Sequence, residues 1–252
     1  MTAVAVGPVV IDADFAAFPP MGVHRVQEAK WDDIWGAPIV ALSPHRRWLR
    51  ERLALLGARV DLGNRFADPR HEFRETYGAT CLVGALLEIW ADDVPNEATV
   101  VAGRRVRRTA WDPAREVGVL PPARVDGRVV IRLVVSPALF VDVSTVRTRT
   151  WLVRRPQLRG PLMRAGAPGP RIDSGLLEGS GPRSRIVTQA VARFIFNDVR
   201  RPIGIAYRTR LGGSHQNWAI FARQPVGLVD RQPLRRADPA VVQALSELGL
   251  RL

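Results

Sequence analysis

Two stretches of the chain carry their own helix punctuation. Ser43-Pro44 opens an apolar series, Trp48, Leu49, Leu53 and Leu56, that Gly57 closes, and Asp238-Pro239 opens another that Gly249 closes. An oxygen-bearing side chain, then proline where a backbone N–H is not needed, then glycine free to turn left-handed is the sequence form of a helix start and stop. Between these two frames the pattern changes. Residues 129–135, 139–143 and 150–153 are short runs rich in β-branched side chains and bounded by Gly, Pro or Ser, and 203–207 and 218–221 read as two further strands. Helices are expected over 80–92, where Leu82, Leu86, Ile89 and Trp90 recur at helical spacing, and from Ser184 as cap through Phe196. Helices and strands do not alternate as a doubly wound sheet requires, and no internal repeat is present, so the class is α+β.

The remaining stretches set the organisation. Residues 1–20 hold glycine, several prolines and no clear period, and read as a lead-in with one strand at 8–11. Residues 155–183 contain several Gly and Pro and read as a long loop, with a turn at 175–177, of the kind that serves as a lid or an insertion. At 252 residues the chain is long enough for one domain with a substantial core, the expected arrangement being a main domain over 21–223 and an extension over 224–252.

Charge and composition exclude several classes. The net charge of +13 suggests nucleic acid, because basic surfaces gain affinity from phosphate contacts and counterion release. Yet Lys30 is the only lysine among 37 basic residues, and the arginines are scattered, with short clusters at 104–108 and at Arg200 and Arg201. Such one-sided usage, beside abundant Ala, Val, Gly and Pro, is the mark of a GC-rich coding sequence, and the charge is read as compositional. The single cysteine, Cys81, rules out an internal disulfide framework, and neither a secretory leader nor some 18 uninterrupted apolar residues is evident, so a cytoplasmic protein without a membrane span is expected. No metal is expected: His71-Glu72 lacks the second histidine of a zinc protease helix, and one cysteine with four histidines gives no structural zinc spacing. Gly179-Ser180-Gly181 lacks the lysine ending of a phosphate loop, and no nucleophile elbow occurs.

Four segments in order point to a family. His24-Arg25-Val26 comes first. Gly63-Asn64-Arg65-Phe66-Ala67-Asp68-Pro69 leads on to Tyr77 and Ala85-Leu86-Leu87-Glu88. Thr188-Gln189-Ala190-Val191-Ala192 follows, and Gly204-Ile205-Ala206-Tyr207-Arg208-Thr209-Arg210 precedes Asn217-Trp218-Ala219-Ile220-Phe221. Together they resemble the RES domain, over about residues 21 to 223, with a looser, inserted middle near 95–127.

The resemblance implies a fold like that of the ADP-ribosyltransferase toxins, a split mixed or antiparallel sheet with flanking helices around an NAD cleft. It also implies cleavage of the nicotinamide–ribose bond of NAD, with Arg65, Tyr77, Glu88 and Thr209 as catalytic candidates and Arg25, Arg65, Tyr77, Tyr207 and Asn217 as cofactor-binding candidates. The chemistry suits them. Breaking the N-glycosidic bond builds positive charge on the ribose. Arginine forks pair with phosphate oxygens, tyrosine rings stack on the bases, and a carboxylate stabilises the developing cation. Gly84 and Ala85, one turn before Glu88, would leave room for substrate to approach that carboxylate. Thr209 stands where the family carries serine, keeping the hydroxyl but adding a methyl group.

With water as acceptor such an enzyme is a glycohydrolase, and with phosphate a phosphorylase. A protein side chain as acceptor would make it an ADP-ribosyltransferase. Family members act as toxins neutralised by a partner, so the resemblance also implies an Xre-type helix-turn-helix antitoxin and a homo-oligomer, a dimer, with nucleic acid contacted only through the antitoxin. A different class stays open at this stage: a degenerate, non-catalytic RES binding module, or a basic protein that contacts nucleic acid.

Overall fold

The structure is a computed structural model and describes residues 15–18, 21–28, 64–68, 72–91, 94, 100–101, 104–105, 118–167, 171–179, 182–209 and 215–252. The strand expected at 8–11 and the helix expected from Ser43 to Gly57 lie outside the described residues. Ten strands are described: β1 (Phe15–Phe18), β2 (Met21–Glu28), β3 (Glu75–Ala79), β4 (Val100–Val101), β5 (Arg104–Arg105), β6 (Arg128–Val135), β7 (Ala138–Asp142), β8 (Gly204–Arg208), β9 (Gln216–Phe221) and β10 (Val226–Pro233). Six helices accompany them: α1 (Leu82–Trp90), α2 (Val146–Val153), α3 (Pro156–Arg164), α4 (Ser174–Glu178), α5 (Pro182–Phe196) and α6 (Pro239–Leu248). The protein is mixed α+β.

Eight strands form one sheet in the order β1-β7-β8-β9-β3-β2-β6-β10, while β4 and β5 make a separate two-stranded ladder between α1 and β6. Only β7 and β8 run parallel among the described neighbours, so the sheet is mixed. Pairing is uneven along it. β2 and β6 match over their full length, from Met21 opposite Val135 to Glu28 opposite Arg128, whereas β2 meets β3 at the single position His24 opposite Ala79.

Residues directly opposite each other across an antiparallel pair share a face. One face carries Val141, Ile205, Tyr207, Ala219 and Phe221, which pack with Trp151, Leu152, Leu158, Leu162, Leu177, Val187 and Val191 from α2 to α5. Farther along, Val26 and Ala79 pack with Leu86 and Trp90 of α1 and Val241, Ala244 and Leu248 of α6. On the opposite face Val23, Ile131 and Leu133 from β2 and β6 meet Phe140, Ala206, Trp218 and Ile220 from β7, β8 and β9, so the sheet bends back on itself. Residues after 223 continue this architecture: β10 pairs with β6, and α6 covers α1.

The strands expected at 129–135, 139–143, 203–207 and 218–221 are β6, β7, β8 and β9, and the proline-to-glycine frame at the end of the chain is α6, closed by Gly249 at φ 61°. Three expectations are corrected. Residues 150–153, read as a strand, are the second half of α2. The Thr145 side chain accepts from Thr148 N at 3.1 Å and starts a helix whose adjacent Trp151 and Leu152 are buried, so capping and packing outweigh the β-branched composition. Residues 155–183, read as a loop, contain α3, α4 and the start of α5. Pro156 occupies the first position of α3, where its missing N–H costs nothing, and the Asp173 side chain caps α4 by accepting from Leu176 N at 2.8 Å. The turn expected at 175–177 lies within α4. Ser184, expected to cap α5, sits inside its first turn and donates to the Gly175 carbonyl at 3.4 Å. Among the described residues no helix is long and apolar enough to cross a membrane.

Candidate functional site

The site is built where α1 and the turn at 64–68 meet the face of β3, β8 and β9. α1 starts at Cys81, whose sulfur accepts from Gly84 N at 3.4 Å, and is held by Leu86 and Trp90, both fully buried. Six of its residues face the core, which leaves Glu88 half-buried at the rim. Glu88 Oε1 lies 3.4 Å from Arg65 Nη2, and its Oε2 accepts from Asn217 Nδ2 at 3.3 Å. The carboxylate is therefore held from two sides, by a cation from the 64–68 turn and an amide from β9.

That turn is itself fastened. Ala67 N donates to Asn64 O at 3.1 Å, closing it, and Phe66 N donates to the Tyr77 hydroxyl at 2.8 Å. Asp68, with no exposed side-chain surface, accepts from Glu72 N at 2.5 Å and from Arg193 Nη1 of α5 at 3.0 Å, and Arg193 also pairs with Glu72. Arg65 donates through Nη2 to the Glu178 carbonyl at the end of α4, at 2.9 Å, and its guanidinium lies 5.1 Å from the Tyr207 ring centroid. The segment read from sequence as a loop is thus the helical support of Arg65.

Register puts Tyr77, Tyr207 and Asn217 on one face, because Tyr207 lies opposite Asn217 and Tyr77 opposite Ala219. Burial holds the Tyr77 phenol well above its ordinary value, with the charge of Glu75 acting in the same direction, so the hydroxyl keeps its proton and can donate while it accepts from Phe66. Thr209 is 2% exposed, and its hydroxyl has no hydrogen-bond partner among the described residues. The same holds for Asn217 Oδ1 and Arg65 Nη1. Unpaired buried polar atoms carry a desolvation cost, and these three lie at the end of one strand pair and in its neighbouring turn.

Arg25 is placed differently. It donates to Gln27 Oε1 at 2.9 Å, to Thr76 Oγ1 at 2.7 Å and to the Tyr77 carbonyl at 3.4 Å, so it ties β2 to the backbone of β3 instead of joining Arg65 at Glu88. The expectation that Gly84 and Ala85 open space beside Glu88 is also corrected. A Cβ on Gly84 would lie 3.1 Å from His215 Cβ and 3.3 Å from Ala79 Cβ, and Ala85 is 6% exposed. The small side chains admit strands, not substrate.

Glu75 was missed by the sequence reading. Burial pushes its carboxyl up to about 7, against the hydrogen bond from the Asn64 side chain and the charge of Arg25, which pull it down. The signal was available: Glu75 stands two residues before Tyr77, the same side of any strand. Among the described residues no three His, Cys, Asp or Glu side chains form a metal site.

No protein-family model matches the chain, and no curated protein matches it. Among solved structures, the chain is similar to one from the crystal structure of the M. tuberculosis MbcT–MbcA toxin–antitoxin complex. The identity is 15%, with a TM-score of 0.47, over 92% of this chain and 91% of that chain. A likeness of that degree assigns neither family nor activity, and the functional reading rests on this chain's own residues.

Proposed function

We propose that the protein cleaves the nicotinamide–ribose bond of NAD, as the RES resemblance of its sequence implies, and that an antitoxin partner restrains it. The observation that carries the reading is the Glu88 carboxylate held between Arg65 and Asn217 on a face that also bears Tyr77 and Tyr207. An oxocarbenium-like ribose needs a fixed negative charge in a water-poor place, and a carboxylate oriented from two sides meets that need without reorganising. Arg65 Nη1, unpaired among the described residues, is the donor left for a pyrophosphate oxygen. The Tyr77 and Thr209 hydroxyls and the Asn217 side-chain amide oxygen supply neutral contacts for ribose and carboxamide. Water or phosphate serves as acceptor.

The test is release of nicotinamide from NAD by the purified full chain, followed chromatographically with and without phosphate. Glu88→Gln, which keeps the shape and the amide contact but removes the charge, should lower the rate by a factor on the order of a hundred or more. A well-folded wild-type protein that leaves NAD intact under both conditions refutes the proposal.

A further inference from the structure

A second cluster lies at the opposite end of α1 from Glu88. Cys81 Sγ is 3.3 Å from His215 Nδ1, and His215 Nε2 is 3.6 Å from Glu247 Oε2. The thiol comes from the cap of α1, the imidazole from the residue before β9, and the carboxylate from the last turn of α6. Three separate elements thus bring a nucleophile, a base and an acid into a line, with each ring nitrogen of the histidine facing one partner. Cys81 is partly exposed, and the His215 and Glu247 side chains are 20% and 39% exposed, so a small molecule can reach the sulfur. The sulfur also caps the first turn of α1, where unpaired backbone N–H groups favour negative charge.

We propose that Cys81 is a nucleophilic thiol that undergoes exchange with small-molecule disulfides, with His215 as its base and Glu247 as the group that orients the imidazole. Sγ attacks one sulfur of the disulfide while its proton passes to His215 Nδ1. A new S–S bond forms between Cys81 and that sulfur, the S–S bond of the disulfide breaks, and the departing thiolate takes the proton from His215. Cys81 is oxidised and the departing sulfur reduced, so no other oxidant is needed. Because Cys81 is the only cysteine in the chain, no internal thiol can resolve the product, and the mixed disulfide persists until an external thiol reverses it.

The backbone of Gly84 is so close to His215 that a single added Cβ would lie 3.1 Å from His215 Cβ, so the adduct forms beside a closely packed histidine. His215 stands two residues before Asn217, the residue whose amide holds Glu88. The modified end of α1 and the Glu88 end thus both adjoin β9.

The test needs no NAD turnover. The full chain is mixed with dithiobis-nitrobenzoate near pH 7, and the rate of thiol release is compared with that of the same chain unfolded in guanidinium. The native thiol should react about tenfold or more faster than the unfolded one, as expected for a positioned base. Glu247→Gln, a change on a partly exposed helix face, should lower the native rate severalfold with the circular dichroism unchanged, and His215→Asn should remove the advantage. Oxidised glutathione should add one glutathione per chain by intact mass. A native thiol no faster than the unfolded one overturns the proposal, as does a fast thiol whose rate Glu247→Gln leaves unchanged.

Discussion

Replacing Glu75 with glutamine should abolish the loss of stability that this carboxyl imposes on the protein as pH rises from about 5 to about 8. Glu75 opens β3 beside Asn64, and its burial raises the carboxyl from the ordinary 4.5 to about 7. In the unfolded chain this group ionises at its ordinary value, whereas in the folded chain it holds its proton until about 7. Between those values the folded state binds the extra proton, so the contribution to stability is complete below the unfolded value and is lost as pH rises through the folded one. At 1.36 kcal/mol per pH unit the interval corresponds to on the order of 3 kcal/mol, and solvent at the partly exposed edge of the residue lowers this to about 1–3 kcal/mol. Glutamine stays neutral throughout and keeps an acceptor for the Asn64 side chain. Urea unfolding of both proteins at several pH values decides the matter: the midpoints should lie close together near pH 5 and separate above pH 7, with the variant the more stable. A variant that falls behind wild type as pH rises would refute the reasoning, because it would mean that Glu75 is ionised in the folded state and stabilised by Arg25.

Three further outcomes follow from the geometry. Gly204→Ala should destabilise the protein by about 3 kcal/mol or more, since the new Cβ would lie 2.3 Å from the Ala219 carbonyl oxygen and 2.7 Å from Phe140 Cε1; a thermal unfolding shift of only a degree or two would contradict this. Thr209→Val should leave stability unchanged or raise it by about 1 kcal/mol, because the buried hydroxyl has no partner among the described residues, while slowing nicotinamide release; a clear drop in Tm would show that the hydroxyl is bonded within the fold. Asp68→Ala should cost about 2–4 kcal/mol in denaturant unfolding, because it removes the buried partner of Arg193 and frees the turn that carries Arg65, and an unchanged midpoint would count against that role.

What the sequence showed depended on where a pattern had a local cause. The helix from Asp238-Pro239 to Gly249 was legible because its cap, its first proline and its left-handed glycine act within the segment itself. β6 and β8 were legible because burial fills them with β-branched and apolar side chains. β10 was not, since it is an edge strand with most residues exposed and so has no apolar alternation to read. α2 and α3 were obscured in opposite ways. The β-branched content of α2 argued for a strand, and the prolines of α3 argued for a loop, although Pro156 stands at the first helical position, where it is tolerated, and the helix carries Pro161 in its interior. At the site, Arg65, Glu88 and Asn217 were named from the order of the motifs, and Arg65 and Asn217 both reach Glu88. Their supports, the Glu178 carbonyl and the Asp68–Arg193 pair, come from sequence positions more than a hundred residues apart, and no local pattern announces them.

The single paired position between β2 and β3 leaves a seam in the middle of an otherwise continuous ladder. Arg25 is the rivet across it, with one guanidinium reaching both a side chain and a backbone carbonyl of β3 where rungs of the ladder are missing. A residue that the motif alone would place on the ligand thus sets the spacing between the two halves of the sheet, and with it the position of Tyr77 relative to everything that β2 and β6 carry.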